Sequence, residues 1–510
     1  LTPRRAVWET SDVRLPAHLF LLLAVLSACG NPARVTSDGG TFPDGGAGDA
    51  GVDLADLAPH RWPAEPGVRA THDVDLDLWA VLEPGVLNGA CAAVDAGTAD
   101  EATRLRCGKW MFFYETFGTV GIPQPLLDFL QKHYADYYGA GFSQMGFIPD
   151  PASTKGMPLG LYGPAGKLQG VNTAAFTCAA CHFGRMPDGR YAAGYANHSL
   201  QYGRFLAGIG APMTLSTNAN SDKVAPALRA ELLPHVNAAK ARSGTYMAEM
   251  GWLGLQLTPV LLQGTNVDLT VAEQELFLEL PGGTLDFMFK PLLDDGYWTV
   301  SRAVALWNMP SASQRAAAGM PHEMLALNGG VPRLMDFLHG FVAIGVSKNE
   351  WTDARLKPLE DYVRSLRAPA PLTPPDEGAV RAGARLFVQK GCLECHDGPT
   401  GESSRAYAFT EVGTDDAYAH LYNPDAAGNG CCNVPPEAIT RGVKAPRMAG
   451  LFAQGGMLHN GSVRSLEQLF CLEPRNPTAT PALTSKGHPQ SCDGLTVAEK
   501  QSLMVYLRSL

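Results

Sequence analysis

Two pentapeptides carry the chemistry of this chain: Cys178-Ala179-Ala180-Cys181-His182 and Cys392-Leu393-Glu394-Cys395-His396. Two thiols at this spacing reach the two vinyl groups of one haem, and the adjacent histidine is placed under the ring as an axial iron ligand. With 11 Cys and 13 His in 510 residues, composition alone would supply on the order of 0.006 such motifs. A zinc half-site fits less well, because zinc sites pair their CxxC with a second ligand pair. A dithiol redox pair fits less well too, because such motifs sit in βαβ units. The doubled motif predicts two covalently bound haem c groups held by Cys178, Cys181, His182, Cys392, Cys395 and His396.

The sixth iron position decides between electron transfer and open-site chemistry. For the first motif the candidate is His198, across the Gly-rich stretch Phe183 to Gly189. For the second, the segments Lys444-Ala445-Pro446-Arg447-Met448 and Gly456-Met457-Leu458-His459-Asn460-Gly461 offer candidates, as does the later Gly487-His488.

The elements that must hold these groups are helical. Leu359-Glu360-Asp361-Tyr362-Val363-Arg364-Ser365-Leu366 closely matches Leu503-Met504-Val505-Tyr506-Leu507-Arg508-Ser509-Leu510, and a capping box, Thr496 to Glu499, precedes the second copy. Both segments resemble the C-terminal helix of the class I cytochrome c fold, which packs across an N-terminal helix beside the haem. The proline-rich run Ala368 to Pro375 reads as a linker. A helix from near Glu377 then leads into Gly391-Cys392. We therefore expect a mainly α chain with two class I cytochrome c-like haem domains, at 140–367 and 372–510. A helical extension over 69–139 and a long insertion between about Ala207 and Asp295 complete it. No sustained β alternation is visible, and 55 Gly with 38 Pro imply long loops.

Together these motifs resemble the bacterial di-haem cytochrome c peroxidase superfamily, including its methylamine-utilisation and rubber-oxygenase branches. The resemblance covers roughly residues 140–510. It implies that His198 caps the peroxidatic haem and leaves on activation, and that a tryptophan, Trp307 in preference to Trp298, lies between the haems. The peroxidases supply a methionine fourteen residues after the signature histidine; here that position is Glu473, so the pattern is broken. The His459-Asn460-Gly461 variant with the late His488 resembles the rubber-oxygenase branch. By that carry-over His488 is the first choice for the second haem's distal ligand, with Met448 and Met457 as alternates. His459 would organise the haem edge or the domain interface. No residue matches the distal glutamate that assists peroxide cleavage. The family's interdomain calcium is a further implied cofactor. The implied activity is peroxide reduction at the N-terminal haem, with electrons entering at the C-terminal haem from a small cytochrome or cupredoxin. The alternatives are a dioxygenase acting on an apolar substrate and a non-catalytic electron carrier.

The first residues suggest where this happens. Leu19 to Ala28 is an apolar run too short to span a bilayer and reads as a signal-peptide core within 1–28, with 1–13 a mis-assigned start. Leu26-Ser27-Ala28-Cys29 resembles a lipobox, so Cys29 is expected to carry the lipid of an outer-membrane lipoprotein facing the periplasm or cell surface. Residues 29–68, rich in Gly, Asp and Ala, read as a flexible tether. A net charge of −10 argues against nucleic-acid binding and suits a basic redox partner. Besides Cys29 and the haem cysteines, six Cys remain, and Cys91–Cys107 and Cys471–Cys492 are the expected disulfides, with Cys431-Cys432 left over.

Overall fold

The computed structural model describes residues 53–59, 71, 73–87, 89–119, 121–154, 156–217, 221–261, 269–286, 300–320, 322–344, 350–416, 442–475 and 483–510. The expected signal region, Cys29, Trp298 and Cys431-Cys432 lie outside the described residues. The fold is mainly α-helical with small antiparallel sheets.

Two helix crossings dominate it, and they are alike. In the first, Glu101–Tyr114, capped by Asp100, crosses Asp353–Ser365, capped by Thr352. The contact is at Gly108, where a Cβ would stand 1.9 Å from the Pro358 carbonyl oxygen and 2.7 Å from Tyr362 Cβ. In the second, Glu377–Gln389, capped by Asp376, crosses Val497–Ser509. A Cβ on Gly383 would stand 2.3 Å from the Ser502 carbonyl oxygen and 2.6 Å from Tyr506 Cβ. Tyr362 and Tyr506 hold matching places in the repeated octapeptide. Glycine is required at both crossings because helix backbones this close leave no volume for a side chain. Glu101–Tyr114, assigned by sequence to an extension, is thus the packing partner of the first repeat copy.

Each crossing has its own apolar core. Phe112, Leu359 and Tyr362 belong to the first, and Phe387, Leu503 and Tyr506 to the second. A third core belongs to a helical lobe built by Gln124–His133, Tyr202–Ile209, Pro226–Arg242, Tyr246–Leu261 and Val271–Glu279. That lobe contains most of the insertion expected from sequence.

The strands Leu161–Leu168 and Val171–Phe176 pair in a hairpin that the sequence pattern does not announce. Gln169 and Gly170, with φ of 52° and 85°, close it as a two-residue turn. Gly163, Pro164 and Gly166 break the alternation that would have revealed the first strand.

The tether expected over 29–68 is not free along its length. Asp53 caps a turn at Leu54–Asp56, and its carboxylate lies 2.6 Å from both Arg381 and Arg385. Ala55 and Ala58 are buried in the second core, and the Tyr506 hydroxyl donates to the Pro59 carbonyl. Two small apolar residues and one carboxylate suffice to dock a segment whose composition reads as disordered. Cys91–Cys107 and Cys471–Cys492 are both disulfides, as expected. The four CxxCH cysteines are not.

Candidate functional site

The first motif starts where the Val171–Phe176 strand ends. Thr177 Oγ1 donates to the Phe113 carbonyl at 2.9 Å, which ties the one-turn helix Cys178–His182 to the first crossing. His182 Nδ1 lies 3.0 Å from the Val304 carbonyl oxygen. A carbonyl only accepts, so Nδ1 carries the proton and Nε2 presents its lone pair away from the backbone. Burial pushes the His182 pKa down to about 4, which keeps the ring neutral as a metal ligand must be. Burial also pushes Cys178 and Cys181 up to about 12.

His198 is placed by the other half of the molecule. Its Nε2 lies 3.1 Å from Gln454 Oε1, and its ring packs edge-on against Tyr195 at 5.4 Å. Gly456 presses from the same side as Gln454, since a Cβ there would lie 3.4 Å from His198 Nδ1. Burial, with the positive charge of Arg302 and Arg464, holds its pKa at about 4.

The second motif repeats the proximal arrangement. Gly391, at φ 73°, turns the chain into Cys392, and His396 Nδ1 donates to the Gly401 carbonyl at 2.6 Å. Burial lowers the His396 pKa and pushes Cys392 up to about 11. Facing His396 is His488, whose ring centre lies 6.3 Å away. With a metal–nitrogen bond of about 2.0 Å and about 1.1 Å from nitrogen to ring centre, two imidazoles holding one metal between them would be separated by about 6.2 Å. His488 Nδ1 is buried with no hydrogen-bond partner among the described residues, and burial holds the ring neutral, with a pKa of about 4. The residues therefore fit an iron porphyrin clasped between His396 and His488.

The other sequence candidates sit elsewhere around this site. Met448 is buried behind Gly401, where a Cβ would lie 2.2 Å from its Cε, on the side of the carbonyl that holds His396. Met457 is buried in the second core and bridges to Val463. His459 is buried 3.4 Å from Asp415 and 3.4 Å from Thr414, and its carbonyl accepts the Arg302 N–H at 3.0 Å. That bond ties the strand Val300–Arg302 to the C-terminal half.

Trp307 is fully buried in the first core. Its indole N–H donates to the Ala193 carbonyl at 2.7 Å. One part of the ring presses on Gly194 and another on Gly450, at 2.8 Å and 2.5 Å from the Cβ each glycine lacks. Gly194 N–H donates to the His182 carbonyl at 2.8 Å, so the indole is two contacts from the first motif. Arg447, two residues beyond Ala445, donates to the Ala305 and Trp307 carbonyls at 2.9 and 3.1 Å. Tyr195 tilts on Trp307 at 5.9 Å and so joins it to His198.

Sequence reasoning missed Val304, Tyr195 and Gln454. Val304 acts through its carbonyl from 122 residues away and leaves no mark in residue type. Gln454 lies just before the Gly455-Gly456 pair, whose close approach to His198 is the nearest thing to a signal.

No family model matches the sequence, and no curated protein matches it. Among solved structures, a chain of Kuenenia stuttgartiensis hydrazine synthase is 18% identical over 48% of this chain and 82% of that chain, with a TM-score of 0.27. A likeness that slight carries no argument, and the function has to be read from the residues themselves.

Proposed function

We propose that this chain is an exported di-haem c-type cytochrome oxidoreductase with peroxidase-like activity. The observation that carries the proposal is the asymmetry between two otherwise matching sites. His396 faces a second imidazole at bis-axial separation, whereas His198 is held through Nε2 by Gln454. The matched glycine crossings support two class I cytochrome c-like domains.

In this reading Cys178, Cys181 and His182 hold one haem, and Cys392, Cys395, His396 and His488 hold the other. When bound, the haems supply one-electron redox chemistry and, where an axial position is open, activation of peroxide. The chain's own residues set which haem does which. The His396–His488 pair closes both axial positions and suits electron entry from a small cytochrome or cupredoxin. His198 takes the distal role at the first site, where Gln454 keeps its Nε2 from settling as a permanent ligand. Trp307, packed on Gly194 and Gly450, fills the space between the halves. A calcium ion at the interface and a lipid on Cys29 at the periplasmic or cell-surface side complete the proposal.

An electron paramagnetic resonance spectrum before and after one-electron reduction tests it. One persistent low-spin signal and one that changes spin or rhombicity on half-reduction are expected, followed by a fast optical change on stopped-flow mixing with peroxide. Two low-spin signals in every state, indifferent to cyanide, would leave a simple electron carrier. A second reading, dioxygen-dependent cleavage of an apolar substrate, is favoured by the His488 placement, which the rubber-oxygenase resemblance also implied. Oxygen uptake with such a substrate and without peroxide would select it.

A further inference from the structure

His488 differs from the two motif histidines in what fixes its ring. A ligating histidine ordinarily has its second ring nitrogen held by a hydrogen bond. His182 and His396 follow that rule on the Val304 and Gly401 carbonyls. His488 does not, because its Nδ1 has no partner among the described residues. Its backbone is also in a disfavoured conformation. The φ of His488 is 53°, in the left-handed region, and Gly487 before it stands at 139°. Such a conformation persists only where surrounding contacts over-determine it. The aim of the ring therefore depends on what grips the loop.

Much of that grip comes from one side chain. Arg475 is half-buried and lies just beyond the helix Leu466–Leu469. Its Nε donates to the Gln468 carbonyl at 2.9 Å, and its Nη2 to the Leu469 carbonyl at 2.6 Å. Nη1 donates to the Ser485 and Gly487 carbonyls at 3.1 and 2.6 Å. Nη2 also reaches Ser491 Oγ at 3.5 Å and Cys492 Sγ at 3.2 Å. One planar guanidinium thus ties the open carbonyls at a helix end to both flanks of His488. None of these acceptors is a carboxylate, although Asp493 attracts the charge through space. The other anchors leave a gap. Asn460 and Ser462 hold the Thr484 carbonyl, the His488 N–H donates to the Val412 carbonyl at 2.6 Å, and Cys471–Cys492 closes the downstream end. Between Thr484 and His488, the Ser485 and Gly487 carbonyls both go to Arg475.

We propose that Arg475 is the positioning residue that aims His488 at the iron of the second haem. This rests on the His396–His488 pair proposed above and says what keeps that pair in register. Arg475 bonds to no atom of the imidazole, so it acts through the loop. Its geometry matters more than its charge. Five donors in a rigid fork span helix and loop together, whereas the three donors of a lysine radiate from one point and cannot. Without the fork, the Gly487-His488 turn is free to leave its left-handed conformation, and the ring leaves the axial position with it.

The test uses the full-length holoprotein beside R475Q, R475K, H488A and R475Q/H488A. The pyridine haemochrome counts haems, electron paramagnetic resonance separates low-spin from high-spin iron, and thermal denaturation reports on the fold. The expected result is two haems retained, with loss of the second haem's low-spin signal in both R475Q and R475K and the first haem's signal unmoved. Added imidazole should restore the low-spin signal in both variants. R475Q/H488A should match H488A alone, because two residues that act through one ligand are not additive. R475K carries the test where R475Q does not accumulate. If H488A loses the low-spin signal while both Arg475 variants keep it, whatever their melting temperatures, the positioning role is overturned and ligation by His488 stands. A second haem that stays low-spin in H488A would overturn the ligand assignment itself, and the role of Arg475 with it.

Discussion

The two CxxCH halves share a scaffold and differ in who completes them. Gly108 against Pro358 and Tyr362 is the counterpart of Gly383 against Ser502 and Tyr506. His182 and His396 each hold Nδ1 on a backbone carbonyl. The second site is then finished within its own half: Gly401 lies five residues from His396, and His488 precedes the terminal helix. The first site is finished partly from outside. Its carbonyl comes from Val304 in its own half, 122 residues on, while His198 is held by Gln454, Gly455 and Gly456 of the other half. A self-contained site suits a constant role. One assembled across an interface can change when the halves shift, as the ligand change proposed for the first site would require.

The sharpest way to break the comparison is His488→Ala. Removing the imbalance between the sites should convert the second haem from low-spin to high-spin and leave the first haem's signal in place. Electron paramagnetic resonance reads both at once. Loss of signal from the first haem instead would place His488 at the wrong site.

The shared scaffold predicts equal sensitivity to crowding. Gly108→Val and Gly383→Val each drive a side chain into a backbone carbonyl at a helix crossing. Each should cost about 1–3 kcal/mol, as overpacking does. Thermal denaturation should show comparable losses. A tolerated substitution at one position would mean that its crossing is not a true copy of the other.

Gln454→Leu touches only the first site. It removes one neutral hydrogen bond, worth about 0.5–1.5 kcal/mol, and so should shift the equilibrium between held and released His198 by roughly 2- to 12-fold. The change should appear in the first haem's spectrum and in the peroxide reaction rate, with the second haem's midpoint unmoved.

The same division governs how much was legible in the residues alone. The motifs, the repeated octapeptide and both described disulfides rest on local spacing, which sequence displays. His488 was reached by resemblance, although no local pattern ties it to His396, 92 residues earlier. Gly108 was hidden because a glycine in a helix reads as a weak point until its neighbour is known. Val304 was hidden because a backbone carbonyl has no residue type. The dock of residues 53–59 was hidden because a Gly- and Asp-rich stretch is read by average composition, while docking depends on three or four particular residues.

That dock gives the mildest and most specific difference between the halves, since residues 53–59 pack into the second core and pair with Arg381 and Arg385. The Arg385 and Arg381 side chains, with the Ala55 N–H, hold the Asp53 carboxyl well below the usual carboxylate range. A depressed acid contributes its full stabilisation above its unfolded pKa, about 3.9, and loses it progressively as pH falls from there through its lower folded pKa. The pair is exposed, so salt should weaken it as well. Asp53→Asn should therefore loosen residues 53–59 at neutral pH, and acidification of the parent to pH 3 should loosen them only in part, while Tyr506 and the haem spectra change little. Hydrogen exchange on the 53–59 peptide at pH 7 and pH 3, with and without added salt, measures this directly. Unaltered protection in the variant would assign the dock to Ala55 and Ala58 burial, and would make the fastening apolar rather than ionic.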